Sequence, residues 1–218
     1  MLPHTRWPMK QLLTALLLVA GACAGTTRDA HAAPGTIFIV EGQGGYTIGS
    51  VFSEGPDGFG GRLTLGVGGK FKGWPTRFYG IVNITSASLS GTVGSGIDRA
   101  TTSRSWFAWS VGLRMLTPVA LHLRFLADVS LGRAMVGSDA TLLAGGERYH
   151  TDDDALLVEM GMGLQYRFTL NFALGVRVDV AIPTNLDSYD LLGELAGSAS
   201  SDGGLMNPSF LLTATIHL

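Results

Sequence analysis

Apolar residues occupy every second position through most of the chain after residue 33, and this spacing limits the possible folds most strongly. Residues 119–132 show it best, with the apolar positions Val119, Leu121, Leu123, Phe125, Ala127, Val129 and Leu131. A helix would need apolar spacings of three and four, whereas spacing by two places successive side chains on opposite faces of a strand. No later segment approaches the roughly 18 unbroken apolar residues of a membrane-spanning helix, so the sequence predicts strands.

Eight segments share this alternation, and the connections between them fall into two classes. The predicted strands are residues 36–48, 61–71, 76–86, 105–116, 119–132, 154–169, 170–182 and 209–218. The tight connections are at 72–75, 117–118 and 169–171, and the long ones are at 49–60, 87–104, 133–153 and 183–208. An even number of strands with short turns on one side and long loops on the other is typical of a transmembrane β-barrel. The sequence therefore predicts an all-β fold, an eight-stranded antiparallel up-and-down transmembrane β-barrel.

The composition indicates which face of the barrel meets lipid. Charged residues make up 15% of the chain, against roughly 25% in soluble domains, and the mean hydropathy is +0.29. The face opposite the apolar one carries small residues and charges of both signs, which can pair when they are enclosed. The predicted lumen charge network consists of Glu41, Arg62, Arg124, Asp128, Glu159, Arg177 and Asp179. A soluble lipocalin-like binder, with its apolar face inside, is the alternative orientation.

The first 32 residues have the parts of a secretory signal peptide. Basic residues precede a short leucine-rich stretch, and a small-x-small cleavage site ends at Ala32. We therefore predict a cleaved signal peptide at residues 1–32 and a barrel domain at residues 33–218. Lipidation of Cys23 is the alternative to cleavage after Ala32, and Met9 competes with the first methionine as the start.

The predicted architecture resembles the small eight-stranded outer-membrane barrels of the OmpA, OmpX and OmpW type from Gram-negative bacteria. The resemblance covers about residues 35–218 and rests on strand number and loop order. The run from Phe210 to Leu218 also looks like an outer-membrane assembly signal, although it ends on leucine rather than on an aromatic residue. The resemblance implies integral outer-membrane location, contact with outer-membrane lipids and lipopolysaccharide, assembly by the outer-membrane machinery, and a monomer.

No motif in the chain points to catalysis. The sequence lacks HExxH and GxSxG, and His122 is not followed by the serine and asparagine of a lipid A deacylase. The densest acidic cluster, formed by Glu147, Asp152, Asp153 and Asp154, is the candidate site for Ca²⁺ or Mg²⁺, with a solvated loop tip as the alternative. A net charge of −2 excludes a basic nucleic-acid footprint.

These features predict a non-enzymatic, cofactor-free barrel with a structural or surface-interaction role carried by its long loops. A narrow conduit for small molecules is the alternative, and a lipid-modifying enzyme is the third possibility. Acidic residues concentrate in the predicted loops, which makes the outer face acidic. Most basic residues fall in the lumen and at the turn ends: Lys70, Lys72, Arg77, Arg114, Arg124 and Arg167.

Overall fold

The computed structural model of the chain describes residues 36–48, 57–93, 99–184 and 207–218. The strands are β1 (Thr36–Thr47), β2 (Asp57–Lys70), β3 (Arg77–Val93), β4 (Ala100–Pro118), β5 (Leu123–Leu142), β6 (Arg148–Arg167), β7 (Phe172–Thr184) and β8 (Asn207–His217). Each strand pairs with its neighbours in sequence, and β1 closes the ring by pairing with β8. Phe38 and Leu218 exchange backbone hydrogen bonds of 2.9 and 3.2 Å at this closure. The predicted fold class is confirmed.

Three tight connections lie at one end of the barrel, which we call the turn side; the opposite end is the loop side. They are residues 71–76, 119–122 and 168–171. The second turn differs from the prediction, because β4 continues to Pro118, which pairs with Arg124. Residues 119–122, expected to begin β5, are therefore needed to reverse the chain.

On the loop side the strands run further than the sequence predicted. β5 and β6 leave only residues 143–147 between them where a loop over 133–153 was expected, so that prediction is wrong. β3 and β4 likewise extend into the expected loop at 87–104. The central parts of the other two expected loops, 49–56 and 185–206, lie outside the described residues. The predicted signal peptide, with Cys23 and the cleavage position at Ala32, also lies outside them.

The apolar face of the sheet points outwards along most of the barrel. Leu113 and Leu131 on this face are 66% and 56% exposed, whereas the inward side chains of Arg114 and Asp128 are 2% and 9% exposed. This orientation is opposite to that of a lipocalin-like soluble barrel. None of the described residues forms a helix long and apolar enough to cross a membrane.

The lumen is filled by three layers of side chains. The turn-side apolar layer consists of Ile39, Tyr79, Ile81, Leu116 and Leu126, with Ile37 packed against it. The loop-side apolar layer consists of Ala87, Trp106, Ala108, Ala134, Val136, Leu157 and Ala181. Charged and polar side chains occupy the space between these two layers.

Candidate functional site

Seven charged side chains from six strands meet in the middle of the lumen, and we call them the charged layer. They are Glu41 on β1, Arg62 on β2, Arg114 on β4, Asp128 on β5, Glu159 on β6, and Arg177 and Asp179 on β7. All of them are at least nine-tenths buried. The pleat of each strand sends alternate residues to one face, and these residues occupy inward positions. Buried ions are strongly unfavourable unless they are paired and hydrogen-bonded, so their pairing decides whether the layer is stable.

Arg62 on β2 reaches across the lumen to two carboxylates, on β6 and β7. Its Nη2 lies 2.5 Å from Glu159 Oε1 and its Nη1 lies 2.7 Å from Asp179 Oδ2. The other oxygen of Glu159 accepts hydrogen bonds from the hydroxyls of Ser110, at 2.5 Å, and Ser130, at 3.1 Å. The hydroxyl of Thr85 also donates to Glu159 Oε1, at 3.5 Å, so this carboxylate is satisfied by one cation and three hydroxyl groups.

Arg114 holds a second pair of carboxylates. Its Nη1 donates to Glu41 Oε1 at 2.9 Å, while Nε and Nη2 both donate to Asp128 Oδ2, at 2.9 and 2.8 Å. Glu41 Oε2 accepts further hydrogen bonds from Gln165 Nε2 at 2.6 Å and Thr215 Oγ1 at 2.5 Å. Neutral donors thus complete the coordination of this buried anion.

Arg177 connects the two halves of the charged layer. It donates to both oxygens of Asp128, at 2.9 and 3.1 Å, and its Nε donates to Asp179 Oδ1 at 2.6 Å. A longer contact of 3.6 Å joins its Nη1 to Glu41 Oε1. The result is one continuous network in which four carboxylates face three guanidinium groups, an excess of one negative charge.

The network closes only because β6 carries a glycine beside it. A Cβ atom at Gly161 would overlap Arg177 Nη2 and Asp179 Oδ1 and would lie 2.8 Å from Asp128 Oδ1. The missing side chain at Gly161 therefore leaves the space in which these three charged groups meet.

The structure brings six of the seven predicted network residues together and leaves out Arg124. Leu126 of the turn-side apolar layer lies between Arg124 and Asp128 on β5, and no described carboxylate pairs with Arg124. Including Arg124 in the network was therefore wrong. Arg114 takes its place because the register sets it directly opposite Asp128. Strand parity already put Arg114 inside, but its depth depends on the pairing of β4 with β5, which the sequence pattern does not specify.

The four acidic metal candidates do not converge on one site. Asp152 and Asp154 point outwards on β6, Asp153 lies on the opposite face, and Glu147 accepts a hydrogen bond of 2.7 Å from the hydroxyl of Tyr149. The segment is a strand rather than the expected loop, so successive residues face opposite ways. Among the described residues no group of three or more histidine, cysteine or acidic side chains could hold a metal ion.

A histidine bridges two of the outward acids at the loop side. His150 Nδ1 lies 2.8 Å from Asp139 Oδ1, and its Nε2 lies 3.2 Å from Asp152 Oδ2. All three side chains are exposed. The hydrogen bond with Asp139, followed by that with Asp152, raises the pKa of His150 above its ordinary value. The bridge is therefore strongest when His150 is protonated.

The outward surface carries an apolar band of membrane thickness. On β6 the band extends from Tyr166 to Leu156, a separation of ten residues. At a strand rise of about 3.3 Å and a tilt of about 40°, this run is about 25 Å tall, the height expected for a transmembrane barrel. Arg133 and Asp154, which pair at 2.8 Å and are more than half exposed, follow directly on the loop side.

Beyond that ion pair the alternation reverses its phase. Polar residues such as Asp139 and His150 now point outwards, while Ala134 and Val136 are buried inside. A strand that leaves lipid for water needs a polar outer face, so this reversal marks the edge of the apolar band.

Aromatic side chains lie outside the barrel near both edges of the band. On the turn side the ring centroids of Phe71 and Trp74 lie 5.7 and 6.0 Å from that of Phe78. Towards the loop side Tyr46 lies edge-on to Phe59 at 5.6 Å. Two such girdles are typical of transmembrane barrels, where aromatic rings settle at the membrane interface.

Comparison with solved structures places this geometry among known folds. A major outer membrane protein from Thermus thermophilus is similar over 84% of this chain and 99% of that chain, at 14% identity and a TM-score of 0.55. The fold is that of small bacterial outer-membrane β-barrels. The resemblance predicted from the sequence is thereby confirmed for the fold.

Two further structures align at lower similarity. Neisserial surface protein A is 12% identical over 84% of this chain and 98% of its own, with a TM-score of 0.46. The outer membrane enzyme PagL is 13% identical over 82% of this chain and 98% of its own, with a TM-score of 0.39. No protein-family model matches the chain, and no curated protein matches it in sequence. Similarity at this level concerns the fold, so the role of this chain depends on its own residues.

Proposed function

We propose that this protein is an integral bacterial outer-membrane barrel, without catalytic activity, that serves a structural or surface-interaction role. The observation that carries the proposal is the inverted distribution of polarity: an apolar band about 25 Å tall faces outwards, and a paired charged layer is enclosed. In water this arrangement would expose a large apolar surface while burying its ions. In a bilayer the same arrangement is favourable, because a closed barrel also satisfies every backbone polar group inside the hydrocarbon.

The charged layer makes the barrel a plugged cylinder rather than a pore. Seven ionic side chains and their hydroxyl and amide partners occupy the middle of the lumen. The cavity on their loop side, beside Arg62 and Trp106, has a volume of about 20 Å³. That volume holds about one water molecule, and the charged layer fills the lumen next to it. We therefore expect silence in planar-bilayer recordings, and steady ohmic conductance from the purified protein would favour the conduit.

The surface role is supported by the parts of the strands that rise above the apolar band. The β5–β6 hairpin extends past the Arg133–Asp154 pair with an outward face that carries Asp139, His150 and Asp152. A paired, charged hairpin stands in water on the loop side, where it can contact lipopolysaccharide or a partner. The serines beside the charged layer, Ser110 and Ser130, contact Glu159, each other and the amide of Asn83. Neither has a histidine or cysteine as a hydrogen-bond partner, so this arrangement supports a structural role rather than covalent catalysis.

Gel migration and detergent dependence test the membrane proposal. We expect the unheated protein to migrate faster on a denaturing gel than the boiled protein, because the closed barrel resists detergent. We also expect it to require detergent for solubility after extraction from the outer-membrane fraction. A monomer that stays in solution without detergent would contradict the proposal.

A further inference from the structure

The turn-side mouth of the barrel contains a cavity whose charged lining is entirely cationic. Its volume is about 160 Å³, and it is lined by Lys70, Pro75, Arg77, Leu116, Pro118 and Arg124. One water molecule takes up roughly 15 Å³ of such a cavity, so a volume of about 160 Å³ can hold an ion of several atoms. The turn-side apolar layer separates it from the charged layer, because Leu126 lies between Arg124 and Asp128.

Arg124 is the buried polar group of this cavity that lacks a partner. The residue is 9% exposed, and its Nη1 is buried without a hydrogen bond. A buried guanidinium group ordinarily pairs with a carboxylate, as the three arginines of the charged layer do. The free donor therefore points to an anion that belongs to the site.

Further cations lie around Arg124 at this mouth; Lys70 is exposed, and Arg77 and Arg167 are half-buried. The register sets Lys70 opposite Arg77, and Arg167 follows two residues after Gln165, the partner of Arg124 on β6. His217 on β8 is 5% exposed, and neither of its ring nitrogens has a partner. Among the described residues, no acidic side chain lies in the three turns or on the inward positions around this mouth. Like charges repel one another when they line one cavity, so a bound anion would relieve this repulsion.

We propose that this cavity binds a phosphate-bearing anion through Arg124, Arg77 and Lys70. The planar guanidinium fork matches two phosphate oxygens at once, and a phosphate monoester offers three acceptor oxygens with a charge of about −2. Several cations around one cavity favour such a multivalent anion over a single carboxylate. The phosphate can come from a free ion in solution or from the phosphate monoester headgroup of phosphatidic acid in the leaflet next to the turns. The proposal depends on the barrel geometry alone and holds whatever the loop side binds.

Binding of inorganic phosphate to the purified full-length barrel tests the proposal. The protein is held in a phosphate-free sugar detergent at constant ionic strength, and binding is followed by calorimetry and by ³¹P NMR. A second arm titrates a short-chain phosphatidic acid, which carries a phosphate monoester, in place of inorganic phosphate. The variants are Arg124→Gln and Arg77→Gln, and the matched control is Arg148→Gln, which removes an exposed arginine from the loop side.

We expect saturable binding of at least one of the two probes. Each cavity variant should weaken it roughly 10- to 100-fold, the loss expected for one charge-assisted hydrogen-bonding group, while Arg148→Gln leaves it unchanged. Binding of phosphate alone assigns the free ion, and binding of the phospholipid alone assigns the headgroup. No saturable binding of either probe, or equal weakening by all three substitutions, would overturn the proposal. Heat-modifiable migration verifies that each variant folds, and Arg77→Gln gives the same test if Arg124→Gln does not.

Discussion

The charged layer has one more carboxylate than guanidinium groups. We therefore expect the loss of an arginine to destabilise the barrel more than the loss of an acid. Arg177→Gln leaves four carboxylates facing two guanidinium groups, a charge of −2 in the enclosed lumen. Asp179→Asn leaves three of each, which makes the layer neutral. The two residues lie close together on β7, and the substitutions differ in the net charge that they leave and in the partners that they abandon: three carboxylates for Arg177 and two guanidinium groups for Asp179.

The contacts of the two residues set the expected magnitudes. Loss of one partner from a buried ion pair destabilises a protein by about 3–5 kcal/mol, so we expect about 4 kcal/mol for Arg177→Gln. After Asp179→Asn, Arg62 still contacts Glu159, and Arg177 still contacts Asp128. Relief of carboxylate repulsion, worth about 4 kcal/mol for two charges 4 Å apart at an effective dielectric of about 20, offsets most of the loss. We expect about 1 kcal/mol for this variant.

The midpoint of the heat-modifiable gel transition measures this difference in one fixed detergent. A chain of this size shifts its melting midpoint by about 2–4 °C per kcal/mol, so Arg177→Gln should melt roughly 6–12 °C below Asp179→Asn. Asp154→Asn, in an exposed pair, is the control and should shift the midpoint by no more than about 4 °C. Equal shifts for the two lumen variants, or a larger shift for Asp179→Asn, would refute the reasoning.

Two further predictions concern a close approach and a titration. Gly161→Ala should destabilise the barrel by about 1–3 kcal/mol, because its Cβ would overlap the charged layer. Gly42→Ala is the control and should leave the stability unchanged, because no atom lies within 4 Å of its Cβ. Thermal gel shifts compare the two variants, and equal shifts would contradict the packing described. The pKa of His150 should lie above about 6.5 in an NMR titration and fall in Asp139→Asn. Because its native pKa is raised, the stabilisation from this bridge is full below about pH 6.5 and disappears as pH rises through the native pKa. An unshifted titration in the wild-type protein would show that the bridge does not form.

The sequence predicts a strand correctly wherever one of its faces contacts lipid and the other faces the polar lumen. On β6, Leu156 to Tyr166 alternates with Glu159 and Gln165, and this contrast predicts both the strand and its orientation. Beyond the apolar band the alternation reverses, so the run from Arg133 to Leu142 resembles a loop although its backbone pairing continues. A pattern of one fixed phase cannot detect a strand that passes from lipid into water.

The sequence predicts which charged residues point into the lumen better than it predicts which of them pair with one another. Parity places Arg114 and Arg124 on the same side of their strands as the buried acids, but only the register separates their depths. The role of Gly161 depends on the three-dimensional approach of Asp128, Arg177 and Asp179, which come from two other strands. Such features arise from pairing across the ring, and local residue patterns carry no information about them.

Two tryptophans on β4 offer the most direct measurement of which face meets the bilayer. Trp109 points outwards and is 46% exposed, while Trp106 lies in the loop-side apolar layer and is 6% exposed. Variants that keep one of these residues as the only tryptophan are reconstituted into bilayers with brominated or ordinary acyl chains. Bromine on the chains should quench the fluorescence of Trp109 and leave that of Trp106 nearly unchanged. Quenching of Trp106 alone, or of neither residue, would mean that the apolar face does not contact lipid.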